Sequence, residues 1–171
     1  HLVWTLARLC WPSESFIDSA LALAELAVAE NERWANNATG EFLARFQVVL
    51  GGTSLPYLDR LSVVDRLLSR DSSHRHLAVR ALAMACNDHE SRTGSAASTS
   101  GPQKPEWHPN SGEDLPFRRE AVVRLRALAE SGATDVEAVL CEVISDKLSS
   151  LFRIGLARDA VEFAKKTCAE G

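Results

Sequence analysis

Apolar residues recur every three or four positions along most of this chain, and polar residues gather in short breaks between the periodic stretches. Leu2, Val3, Leu6 and Leu9 predict a helix that is under way at the first residues and runs to Cys10, where Trp11-Pro12 stops it. Ser13 stands as N-cap of a second helix over about Glu14 to Glu30. Within it Phe16, Ala20, Leu23 and Ala27 form one stripe, and Ile17, Leu21, Ala24 and Val28 form the next. Two stripes leave only a narrow polar strip, which predicts a helix covered on two sides.

A third helix is expected over about Glu41 to Leu50, ended by Gly51-Gly52 as a left-handed C-cap. Ser54 then caps a fourth with Pro56 in its first turn, burying Tyr57, Leu61, Val64 and Leu68. Ser72 or Ser73 opens an alanine-rich fifth from about His74 to Cys86. The sixth starts at Leu115-Pro116, carries Ala121, Val122, Leu125 and Leu128, and ends at Ser131-Gly132. Thr134 and Glu137 have capping-box spacing for a seventh helix that continues to Phe152. After Gly155 an eighth carries Leu156, Ala160, Val161 and Ala164. No stretch alternates as a strand would.

Between Asn87 and Asp114 the periodicity is lost in "NDHESRTGSAASTSGPQKPEWHPNSGED". A loop of this length is unusual inside a compact domain, and its Gly/Ser core predicts flexibility. If it is an insertion, starts near Ser13, Ser54 and Asp114 suggest hairpins about forty residues apart. The expected fold is all-α: a single domain over residues 1–171, of about eight helices stacked as antiparallel hairpins in a HEAT-like α-solenoid. A closed helical bundle is the alternative.

Composition narrows the function classes. An apolar fraction of 46% and a charged fraction of 25% belong to a folded chain. The net charge of −4 argues against a nucleic-acid binder; by segment it is −4 over 1–59, +2 over 60–131 and −2 beyond, with no basic tail. The longest apolar run, Ala20 to Ala29, is broken by Glu25 and falls short of the ~18 residues of a membrane span. The start at His1, already periodic, is what a piece of a larger polypeptide would show. Cys10, Cys86, Cys141 and Cys168 are widely separated and read as small hydrophobes in a reducing, cytoplasmic setting. Asn37-Ala38-Thr39 fits a glycosylation sequon, a pattern common by chance.

Candidate chemistry is sparse. There is no phosphate-binding glycine loop, no nucleophile elbow and no His-Glu-x-x-His pair. His74 and His76 are two apart and fall on different helix faces. Cys86 and His89 could donate to zinc but lack a second pair. Asp59, Asp65 and Asp71 alternating with Arg60, Arg66 and Arg70 read as a solvated face. Of Arg118, Arg119, Arg124 and Arg126, only Arg119 and Arg126 share a face, and solvated charge is again the reading. No catalytic, cofactor or metal residue is assigned. The aromatic loops say more. Trp4 and Trp11 flank the first helix end as packing residues, whereas Trp34 and Trp107 sit in polar loops. Each of these two either closes a seam between hairpins or anchors a partner. With them go Asn36, Asn37 and His108 as candidate interaction or seam residues.

Leu2-Val3-Trp4, the Leu21 to Ala27 helix and Trp34-Ala35-Asn36 before Phe42-Leu43 follow one another in an order that carries further information. So do the helix around Arg60 and the later Lys104-Pro105-Glu106-Trp107. Over roughly residues 1–110 this order resembles the helical-repeat region of large bacterial proteins related to STAND-type NTPases, many implicated in phage defence. It departs from that pattern at Asn37-Ala38, where the family has Arg-Pro, and at Pro109-Asn110, where a second Trp is usual. The resemblance implies a module without an active site of its own, whose partners are a protein or other domains of the same chain. A generic α-solenoid adaptor is the runner-up. An all-α enzyme or ligand-binding bundle with dispersed pocket residues is a third class.

Overall fold

The computed structural model describes residues 2–30, 37–90 and 104–167. Among them are eight helices and no strand: α1 (Leu2–Leu9), α2 (Phe16–Val28), α3 (Ala38–Ala44), α4 (Tyr57–Leu68), α5 (Ser72–Met84), α6 (Leu115–Glu130), α7 (Thr134–Arg153) and α8 (Ala157–Thr167). The all-α class and the helix order are those the apolar stripes predict. No helix among the described residues is long and apolar enough to cross a membrane.

Helix ends differ from expectation where side chains make other bonds. α3 is displaced toward the N-terminus because Asn37 Oδ1 accepts the Gly40 amide at 2.7 Å. Glu30 accepts the amides of Ala38 and Thr39 at 2.8 and 3.2 Å, completing that cap. α3 stops at Ala44, well before Gly51-Gly52, so the glycine pair is not its C-cap. Ser54 does not cap α4; its Oγ accepts the Ser13 amide at 3.0 Å, and Pro56 holds the cap position. Ser13 is likewise not the cap of α2, which starts at Phe16, and the Ser15 hydroxyl at its N-terminus instead donates to the Leu9 carbonyl at 2.6 Å. Asp71, not Ser72 or Ser73, caps α5 by accepting the amides of Ser73 and His74. The Thr134–Glu137 box does not form, because Thr134 is already helical and Ala133 stands before it.

Each helix packs mainly on its near neighbours. α2 is flanked by α1, α3, α4 and α5, as its two stripes require. α5 is the centre of the molecule, touching α2, α3, α4, α6 and α7, while α8 lies between α6 and α7. Among the described residues no helix of α1–α3 packs on α6–α8 beyond an isolated touch. The core runs continuously from Phe16, Phe42 and Phe46, through Tyr57, Leu61 and Leu82, to Leu125, Leu140 and Phe163.

Candidate functional site

The connections α1–α2, α3–α4 and α5–α6 meet at one end of the helices, and two buried arginines organise them. Arg60, in the first turn of α4, is 0% exposed. Its Nη1 donates to the carbonyls of Arg45 at 3.2 Å and Gln47 at 2.9 Å, and its Nε to that of Leu55 at 2.8 Å. The Arg45 and Gln47 carbonyls lie just past the end of α3 without helical donors, so the guanidinium works as a C-cap supplied by the next helix. Burial lowers its pKa from 12.5 to about 10, which leaves it a cation at neutral pH. Arg118, in the first turn of α6, repeats the arrangement: Nη1 donates to Ala85 at 2.9 Å and Asn87 at 2.7 Å. The acceptor pairs are forty residues apart.

The glycine pair serves this arrangement. A Cβ on Gly51 would fall 2.0 Å from Arg60 Nη1, and one on Gly52, whose φ is +64°, would fall 2.4 Å from Arg45 Nη1. Arg45 in turn donates to the Gly52 carbonyl at 3.1 Å and pairs with buried Glu41 at 3.1 Å. Glu90 joins the two loops. Its carboxylate accepts the amides of Val48, Val49 and Leu50 and pairs with Arg118 Nη2 at 2.9 Å. The expected solvated faces are therefore corrected at Arg60 and Arg118, both buried. Arg119, Arg124 and Arg126 pair with Asp159, Asp65 and Glu162 respectively.

Across this loop edge lies an extended segment, Lys104 to Trp107. The Trp11 indole donates to the Lys104 carbonyl at 3.0 Å, and the Lys104 ammonium reaches Glu14. Glu106 Oε1 accepts the Gly52 amide at 2.6 Å, and the Trp107 amide donates to the Thr53 carbonyl at 2.8 Å. The half-buried Trp107 ring stands edge-on to Phe117 at 5.3 Å and lies 5.3 Å from the Arg60 guanidinium. Loop-to-loop bonds continue from Ser54 and Thr53 to the Trp11 carbonyl at 2.8 and 3.2 Å.

The opposite ends of the helices carry a charged seam. Arg70 pairs with Glu25, whose other oxygen lies 3.4 Å from His74 Nε2, while His74 Nδ1 is 2.7 Å from Asp71. Arg75 grips Asp135 through both oxygens, and His76 reaches the Asp135 carbonyl. The two histidines thus serve separate contacts, as their spacing predicts.

Of the candidate residues, Trp34 and Asn36 lie outside the described residues, as does the whole Gly/Ser core, residues 94–101, for which flexibility is expected. Asn37 is a helix cap, Trp107 packs on α4 and α6, and His108 is exposed beside it. Cys86 is buried while His89 is 92% exposed, so they do not converge, and no metal-binding group of three occurs among the described residues. A half-open cleft of about 350 Å³ lies at the α6–α7 turn beside Thr134, Glu137, Lys165 and Lys166. Sequence reasoning missed Arg60, Arg118 and Glu90. The signal that could have found the arginines is their common place in the first turn after a Pro, followed by apolar residues three, four and seven positions on. The chain matches no protein-family model, no curated protein and no solved structure.

Proposed function

We propose that the chain is a non-catalytic helical-repeat module of HEAT-like α-solenoid type, which recognises or scaffolds protein. The observation that carries this reading is the recurring arginine latch. Its carbonyl acceptors recur at forty residues. Residues 45–50 and 85–90 follow the same course of turn and bend. The helices that follow bury the same register: Arg60, Val63, Val64 and Leu67 against Arg118, Ala121, Val122 and Leu125. The α3–α4 connection takes 12 residues and the α5–α6 connection 30, so the second unit carries an insertion of 18. Near-neighbour packing supports the same reading, since stacked repeats contact only adjacent units. The wider setting, a large bacterial defence-like polypeptide with a STAND-type NTPase, rests on the resemblance of the Trp-containing segments. A polypeptide with no P-loop module would favour the general adaptor instead.

The test is site-specific photo-crosslinking in the polypeptide that carries the chain. One probe replaces exposed His108 on the loop edge, and another replaces exposed Arg80 on α5. Recognition through the loop edge is expected to give crosslinks to a protein, or to another part of the polypeptide, from position 108 well above those from 80. Equal or absent crosslinking at both, or saturable ATP binding by the chain alone, would overturn the proposal.

A further inference from the structure

We infer that the loop edge is a docking groove for an extended peptide bearing an acidic residue followed by an aromatic one, and that Lys104–Trp107 is its built-in occupant. This deepens the recognition reading and rests on it.

The segment is bound as a peptide ligand is bound. It has no secondary structure of its own, and its contacts run to three other parts of the chain. Backbone groups set its course: the Lys104 carbonyl on the Trp11 indole and the Trp107 amide on the Thr53 carbonyl. Two side chains give it chemical character. The Glu106 carboxylate is met by the Gly52 amide, beside the Arg60 guanidinium that also faces the ring of Trp107. The indole fills the notch against Phe117. Main-chain bonds for position and pockets for particular side chains are the pattern of extended-peptide recognition.

Connectivity does not demand the segment, because α3 reaches α4 through the same latch without one. The groove's chemistry is charge-complementary to an acid–aromatic pair and would accept that pair from a partner protein. A tethered occupant competes at an effective concentration on the order of mM, so a partner of this chemistry must displace it.

The test uses a fluorescent peptide of residues 104–110, Lys-Pro-Glu-Trp-His-Pro-Asn, titrated with the whole chain and followed by anisotropy. The wild type, its groove filled, is expected to bind it at least tenfold more weakly than Glu106→Ala/Trp107→Ala, provided circular dichroism shows the variant folded. Lys104→Ala/Glu106→Ala, which keeps the indole but removes the acceptor of the Gly52 amide, serves if that variant unfolds. A control peptide with Gln and Ala at the acid and aromatic positions is expected not to bind. Equal binding by wild type and a folded variant, or none by either, would sink the inference, as would failure of both variants to fold, which would make the segment a brace. Crosslinks from position 108 without peptide binding would leave the recognition reading standing and remove only this groove. Peptide binding without such crosslinks would do the reverse.

Discussion

Arg60 is a cation held wholly out of water, and its worth lies in three carbonyls that would otherwise face no donor. Arg60→Met keeps much of the volume but strands those carbonyls, and is expected to cost about 3 kcal/mol or more in urea unfolding. Arg60→Lys should recover little of that, since one ammonium cannot reproduce a planar fork reaching two directions. Gly51→Ala tests the same contact from the other side. An arginine tip can usually move aside, but this one is enclosed and bonded, so the added methyl should cost about 1 to 3 kcal/mol. The cysteines give an independent measure of the core. Burial pushes the thiols of Cys10 and Cys86 up to about 12, leaving almost no thiolate at neutral pH. Their reaction with a disulfide reagent is expected to wait on unfolding and to accelerate with urea; fast labelling of either in native buffer would contradict the packing described. Those cysteines were legible in the sequence because they lie on apolar stripes. Arg60 was not, because a charged residue between Asp59 and Asp65 looks the same whether its helix turns it to solvent or to an unfinished helix end.

At the scale of elements, helix existence followed from period, whereas helix ends were set by partners far along the chain. Phe46, Val49 and Leu50 continue the apolar pattern of Phe42 past Ala44, which predicts α3 as far as Leu50; the Arg45 and Gln47 carbonyls turn instead toward an arginine thirteen to fifteen residues away. Ser54 has the residue type of a cap but spends its hydroxyl on Ser13, forty-one positions earlier. Thr134 and Glu137 have the spacing of a box whose first member is already inside the helix. Glu90 is the residue the sequence hid most completely, standing early in one connection while accepting three amides of another. Glu90→Ala would leave those amides unmet and Arg118 without its buried acid, and is expected to cost about 3 to 5 kcal/mol of unfolding free energy. The charged seam at the other helix ends acts through pH. The Arg70 hydrogen bond, then His74, holds the Glu25 carboxyl below its ordinary 4.5, and His74 holds Asp71 below 3.8. A carboxylate lowered by folding stabilises above its unfolded value and loses that contribution as pH falls through the folded one. Wild-type urea midpoints should therefore drop below about pH 4.5, and Glu25→Gln/Asp71→Asn should flatten that limb while leaving the neutral region nearly level.

For the whole molecule, the question is whether eight helices behave as one closed body or as units joined in a line. The repeat module proposed above requires the second: among the described residues α5 touches helices on both sides, while α1–α3 and α6–α8 share no sustained contact. In a line, damage at one end should stay there, because each unit is stabilised by its own core and the next interface. Phe163 allows a clean test. It is 1% exposed in α8, which packs on α6 and α7 alone among its sustained contacts. Phe163→Ala removes a buried ring and should cost about 3 to 5 kcal/mol at its own site. Hydrogen exchange read by mass spectrometry is then expected to quicken across α6, α7 and α8, with α2 and α3 close to their wild-type protection. The Lys104–Trp107 segment complicates this in a useful way, since it ties the approach to α6 to Trp11 and Glu14 at the α1–α2 connection. Combining Phe163→Ala with Trp11→Phe/Lys104→Ala, which removes both the indole donor and the ammonium, should therefore confine the loss still more closely to the damaged end. Uniform loss of protection from α1 to α8 in both variants would mean a single cooperative bundle, and the repeat reading would have to be given up.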